Sequence, residues 1–243
     1  GWTLYNASTN NMDTDIVIQM VDASEAPIWY YIHEGGSGRL DSQVTWVDGT
    51  VLYGPGVAEG EAIFRVNLEG EIVWEGPIQE GDSLDSDGTF HHVTEATEEG
   101  GVFLVQIDRQ TVNGVAVASE LLREFNAEGE EVWSWEAIDH TDVLPLNVQT
   151  LPRNGDWLHV NSAALDPDGE AVYFSSLRLQ QIVKIDKASK EIEWGWGEGG
   201  DVAADPDSDP ADISFSLSTI LGGQFELTTD PGVAVTSITQ AQI

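Results

Sequence analysis

Four segments of the chain repeat one pattern, a polar turn followed by a strand that ends on tryptophan. They are Val21–Trp29 (VDASEAPIW), Val66–Trp74 (VNLEGEIVW), Phe125–Trp133 (FNAEGEEVW) and Ile185–Trp194 (IDKASKEIEW). The tryptophans are 45, 59 and 61 residues apart. Recurrence of this kind points to one supersecondary unit copied around or along an axis. Between the turns the chain alternates apolar and polar residues, as in Ile63-Phe64-Arg65-Val66-Asn67-Leu68. Period-two alternation bounded by Asp-Gly and Glu-Gly turns reads as short antiparallel strands joined by hairpins. No stretch carries a helical stripe of ten or more residues.

Each repeat divides into strands. The second unit reads as Ser42–Val47, Thr50–Tyr53, Ala62–Leu68 and Glu71–Trp74. The third reads as His91–Thr97, Val102–Asp108, Glu120–Asn126 and Glu131–Trp135. The fourth reads as His159–Leu165, Ala171–Ser176, Gln181–Asp186 and Glu191–Trp196. The N-terminal unit shows three strands (Thr3–Tyr5, Asp15–Val21, Ala26–Ile32), and the last unit, Ile213–Ile243, has no terminal tryptophan. Units of about 40–45 residues with four strands match propeller blades. The expected fold is therefore an all-β propeller of four-stranded antiparallel blades. It would have about five blade units, or a shortened six-bladed ring, in one domain over residues 1–243. The terminal tryptophans are expected to pack between blades.

Charge narrows the function. The chain carries 43 acids against 9 bases, a net charge of −34, and no cysteine. Nucleic acid and anionic membrane surfaces both need Lys and Arg to replace counterions, so neither is an expected partner. No apolar run approaches the roughly 20 residues of a membrane-spanning helix. No signal peptide is expected, Gly1 reading as a mature or trimmed start. The acid excess resembles the solvated surface of proteins from salty environments. No cofactor is expected apart from calcium, for which Asp205, Asp207 and Asp209 are candidate ligands at alternate positions.

Histidines mark the candidate site. Phe90-His91-His92-Val93 opens the third unit, and Asp156-Trp157-Leu158-His159-Val160-Asn161-Ser162 opens the fourth. First strands of propeller blades line the central channel, so the two motifs would meet there. Adjacent strand residues point to opposite faces, so one of His91 and His92 is expected to face the site, while His159 and Asn161 share a face. His33 is expected at the surface and His140 in a turn.

These residues resemble the bacterial arylsulfotransferase propellers. The stretch Asp156–Trp194 is similar to the family pattern D-W-x-H-x-N-S, followed by S-S-R-N and V-V-K-I-D, and then by a strand ending on tryptophan. Phe90–Gly101 (FHHVTEATEEGG), Trp133–Val143 (WSWEAIDHTDV) and the opening Gly1–Ser8 (GWTLYNAS) are similar to further family segments. The resemblance implies transfer of a sulfuryl group from an aryl sulfate to a phenol through a histidine nucleophile, without a nucleotide donor. It implies that His92 (or His91), His159 and Asn161 support the reacting oxygens. Two family positions differ. The segment matching the nucleophile, Ile213–Gly223, has no histidine, and Ser216 lies nearest the place. Leu177 stands where the family arginine would follow Ser175-Ser176, with Arg178 one residue late.

The reading is an arylsulfotransferase-like propeller that has lost the sulfuryl-transfer nucleophile. It would act outside the cell, at the cell surface or in the periplasm. There it would bind a small anionic or aryl ligand, a protein partner or further copies of itself. The alternative is an active aryl sulfate:phenol sulfotransferase with an altered site.

Overall fold

The computed structural model describes residues 1–6, 15–34, 44–54, 62–78, 87–197 and 200. These residues form an all-β chain of propeller blade type, with one short helical turn, a 3₁₀ turn at Ala137–His140. Asp205, Asp207, Asp209, Ser216 and the unit over Ile213–Ile243 lie outside the described residues. The chain divides into two compact units, Gly1–Asn161 and Ser162–Ile243.

In the first unit, β1 (Trp2–Asn6), β2 (Ile16–Asp22) and β3 (Pro27–His33) form a three-stranded antiparallel sheet. The next sheet holds β4 (Thr45–Val47), β5 (Thr50–Tyr53), β6 (Ala62–Asn67) and β7 (Ile72–Ile78), in chain order. A third holds β8 (Phe90–Ala96), β9 (Val102–Val112), β10 (Val115–Phe125) and β11 (Glu131–Glu136). The fourth holds β12 (Val160–Leu165), β13 (Ala171–Ser176), β14 (Gln181–Asp186) and β15 (Ile192–Gly197), and the boundary between the units falls inside β12. Four blade sheets are thus present among the described residues, and the N-terminal one has the three strands expected of it.

The repeated turn has a common chemical construction. Each Trp-ended segment closes its first strand with Asp or Asn, whose side-chain oxygen accepts backbone N–H groups of the turn. Asp22 accepts from Ser24 (2.8 Å) and Ala26 (3.1 Å), and Asn67 accepts from Glu71 (2.8 Å). Asn126 accepts from Glu128 (3.1 Å) and Glu130 (2.9 Å), and Asp186 accepts from Ser189 (2.6 Å). A shift in strand register precedes each turn, between Met20 and Val21, Arg65 and Val66, Glu124 and Phe125, and Lys184 and Ile185. One left-handed residue completes each turn: Glu25, Gly70, Gly129 or Lys190. Such a bulge increases local twist and re-aims the outer strand.

Within the first unit the sheets stack through alternating side chains. Val51 and Tyr53 of β5, with Ala62, Phe64 and Val66 of β6, pack on Ile16 and Ile18 of β2. The intervening Leu52 and Ile63 point the other way and pack on Phe90, Val102, Leu104 and Phe125. Middle strands buried on both faces account for the apolar runs Val51-Leu52-Tyr53 and Ala62-Ile63-Phe64. The tryptophans join successive sheets as expected. Trp29 donates its indole N–H to Leu68 O (2.8 Å), and Trp74 donates to Ala127 O (2.9 Å). Both acceptors are the residue after the turn Asn of the next repeat.

The largest departure from the expected strands is in the third sheet. β9 and β10 run 11 residues each and meet at Asn113-Gly114, both left-handed (φ 52° and 80°). Asn-Gly is the preferred pair for a two-residue hairpin turn, so the ladder continues past Asp108. The extended end of this hairpin reaches the segment that carries His159.

Candidate functional site

His91 and His92 lie in β8, but not in regular alternation. Phe90 pairs with Gln106 and Thr94 with Leu104, so four residues of β8 span two of β9. The extra length is taken up around His92, whose φ is +58°. This bulge corrects the expectation that the two rings point to opposite faces: their centroids are 5.0 Å apart. His91 is buried, with Nε2 out of contact with any hydrogen-bond partner. Burial, then the neighbouring His92 and His159, push its pKa down to about 3. His91 is therefore a neutral packing residue, and His92 is the half-buried one of the pair.

His159 meets this pair from the following segment. Its ring centroid is 6.0 Å from that of His92. Its φ is +52°, and β12 begins one residue later at Val160. The expected sharing of a face with Asn161 rested on strand alternation, which does not extend back to His159. Asn161 is half-buried on β12. Seven non-glycine residues among those described have positive φ, and His92 and His159 alone fall outside hairpin connections. Left-handed backbone at a non-glycine residue costs roughly 1–3 kcal/mol and persists where the surroundings enforce it. The two histidines occupy matching places, each directly before a buried valine (Val93, Val160) and after a buried residue (His91, Leu158).

Two acids that the sequence reading left without a role complete the site. Asp156 Oδ2 bonds His159 Nδ1 at 2.9 Å. A carboxylate accepts, so Nδ1 carries the proton and Nε2 is the ring nitrogen that can address a ligand. Glu120 on β10 is only 3% exposed, and its Oε1 accepts the Val160 N–H at 3.0 Å. Its pKa is pushed up to about 8 by burial, against the opposing hydrogen bonds from Val160 and His159 and with further upward pressure from Asp156. Alternation held the signal for Glu120, which stands between Ala118 and Leu122 on one buried face of β10. Asp156 sat inside the quoted Asp-Trp-Leu-His motif.

The segment before His159 is strapped to β10. Ala118 N–H donates to Gly155 O (2.9 Å), and Trp157 N–H donates to Ala118 O (3.1 Å). Gly155 is obligatory there: its φ is +78°, and an added Cβ would lie 2.5 Å from Ala116 O. Arg178 belongs to the second unit. It sits in the turn that joins β13, which ends at Ser176, to β14. His33 is half-buried rather than exposed, with Nδ1 3.0 Å from the Tyr53 hydroxyl. The His140 ring stacks on Trp135, with centroids 4.7 Å apart. Among the described residues, no group of three or more His, Cys, Asp or Glu side chains is arranged to hold a metal.

No curated protein matches the chain. Among solved structures it is similar to the hydrazine synthase of Kuenenia stuttgartiensis, with 11% identity and a TM-score of 0.45 over 75% of this chain and 49% of that one. It is also similar to a streptogramin B lyase, with 15% identity and a TM-score of 0.43 over 84% of this chain and 61% of that one. The chain thus spans about half the length of the first and three fifths of the second. The arylsulfotransferase (ASST) family model matches residues 3–207, a span that includes the blade-initial histidines, the strap and all four turn repeats, and the chain belongs to that family.

Proposed function

We propose that this chain binds a small anionic aryl ester, of the aryl sulfate class, at His92 and His159, and that it has lost the family nucleophile. The observation that carries this reading is the 6.0 Å approach of the two rings, each delivered by a left-handed residue at the start of a blade. A positioned imidazole N–H suits an oxygen of a sulfuryl group, because its orientation is set before the ligand arrives; His159, with Nδ1–H on Asp156, offers such a donor at Nε2 only in its doubly protonated form. All five histidines lie at or before His159, so no later one can accept the sulfuryl group within this sequence. A binding role outside the cell or at its surface fits a chain of net charge −34 in salty surroundings, where a Debye length of about 3 Å at about 1 M salt hides that charge from an anion.

A second reading has its own support. Asp156 on Nδ1 leaves the Nε2 lone pair of His159 as a nucleophile, the arrangement in which an oriented imidazole attacks. Nε2 would bond to sulfur as the ester S–O bond breaks and the phenolate leaves. A phenol acceptor would then give its proton to solvent and take the sulfuryl group as the N–S bond breaks, which returns the lone pair to Nε2.

Calorimetry with 4-nitrophenyl sulfate at about 1 M salt, paired with an assay for 4-nitrophenolate release in the presence of phenol, separates the two readings. Saturable binding that His92→Ala and His159→Ala each abolish, without release, is the expected result. Release above background that His159→Ala removes establishes the second reading. Absence of both binding and release overturns both.

A further inference from the structure

Glu120 is an acid where the fold calls for an apolar side chain. It lies between Ala118 and Leu122 on a buried face of β10, opposite Ile107 on β9. Its Oε1 receives the Val160 N–H at 3.0 Å, and the nearby His159 N–H favours the charged form of the carboxyl group. Its Oε2 is buried and meets no hydrogen-bond partner. A side chain with one oxygen used and one idle is a poor way to fill a core, since an unsatisfied buried oxygen is destabilising. It is a good way to hold a buried N–H group at the start of β12.

The Val160 N–H follows directly on the left-handed His159, where the regular strand has only begun. Buried amides must be satisfied somewhere. The strap at Ala118 serves Gly155 and Trp157 but ends there. Glu120, two residues further along β10, takes the Val160 amide.

We propose that Glu120 is the positioning residue for His159: its carboxyl oxygen receives the Val160 N–H directly after His159 and so locks the left-handed turn that carries the ring to Asp156 and His92. The group works as a neutral acid, since burial beside Asp156 raises its pKa to about 8. A neutral amide of the same shape therefore replaces it, and an apolar or shorter side chain does not. The link to ligand binding rests on the anion-site reading above; the link to His159 does not.

The test reads the imidazole directly. In nitrogen-15-labelled protein the Nδ1–H proton of His159, shared with Asp156, is a slow-exchanging low-field resonance, assigned by its loss in His159→Gln. Wild type and Glu120→Gln show it; Glu120→Leu, of similar volume without an acceptor, loses it while the His33 and His140 signals stay. Should Glu120→Leu fail to fold, Glu120→Asp, with its carboxyl set back by one methylene, gives the same loss. Inorganic sulfate, titrated as a probe, binds wild type and Glu120→Gln equally and Glu120→Leu or Glu120→Asp about tenfold or more weaker, as expected for a supporting partner. Persistence of the resonance in folded Glu120→Leu or Glu120→Asp, its loss in Glu120→Gln, or its absence from wild type overturns the role given to Glu120. An intact resonance pattern with no sulfate binding by wild type overturns the anion site instead and leaves Glu120 in place.

Discussion

At the scale of single residues, two buried titratable groups make this protein sensitive to pH in opposite directions. Glu120 has a folded pKa of about 8 against an ordinary 4.5. The unfolded chain releases this proton first, so the native state loses stability as pH rises from about 4.5 to about 8. The difference is on the order of a few kcal/mol. Urea denaturation across that window should show Glu120→Gln losing less stability than wild type, and parallel curves would contradict the buried neutral acid. His91 has a folded pKa of about 3 against 6.5, so it withholds stability as pH falls through that range. Leu158 occupies the matching place before His159 and is fully buried. His91→Leu should therefore flatten the acid limb of the stability curve below about pH 6.5, measured by thermal melting. The histidines were legible in the sequence as residue types in family-like motifs. Their geometry was not, because strand alternation fails at a bulge and the Phe90–Thr94 bulge is made by pairing with β9.

At the scale of elements, the turn into each Trp-ended strand is the repeated part, and its left-handed residue is the point of strain. Gly70 and Gly129 fill it without cost, and a Cβ at either would meet nothing within 4 Å. Gly70→Ala should therefore destabilise by about 1–2 kcal/mol, from backbone conformation alone. Lys190 holds the same position with φ +63°, so Lys190→Gly should be neutral to stabilising by up to about 1 kcal/mol. A chevron comparison of both variants checks this pair, and equal destabilisation by both would remove the left-handed explanation. Trp74→Phe keeps most of the ring but removes the donor to Ala127 O, a loss of about 1 kcal/mol in equilibrium denaturation. Turn and strand were readable here because local chemistry makes them: an Asx side chain, a glycine, a period of two. The length of the β9–β10 hairpin was less apparent, although Asn113-Gly114 announced its turn, because polar, partly exposed strand ends such as Arg109-Gln110-Thr111 resemble loop.

At the scale of the whole molecule, a net charge of −34 must work against compaction. Raising salt from about 0.01 to about 1 M shortens the Debye length from about 30 to about 3 Å, so the melting temperature should climb over that range. A melting temperature independent of salt would show that the acids are already compensated. Repeat period and Trp-ended turns determined by themselves that the chain is all-β and built of antiparallel blade units, and the motifs in Phe90–Gly101 and Asp156–Trp194 carried its resemblance to the arylsulfotransferases. Those properties are local or statistical, and they survive without knowing which strand meets which. Only the tertiary structure decided that His91 is buried beside His92, that His159 approaches that pair held by Asp156, and that Glu120, 40 residues away along the chain from Val160, supports it. Such contacts depend on strand pairing, a bulge and a hairpin that reaches into the next segment. Each arises from long-range register, which no single stretch of sequence encodes.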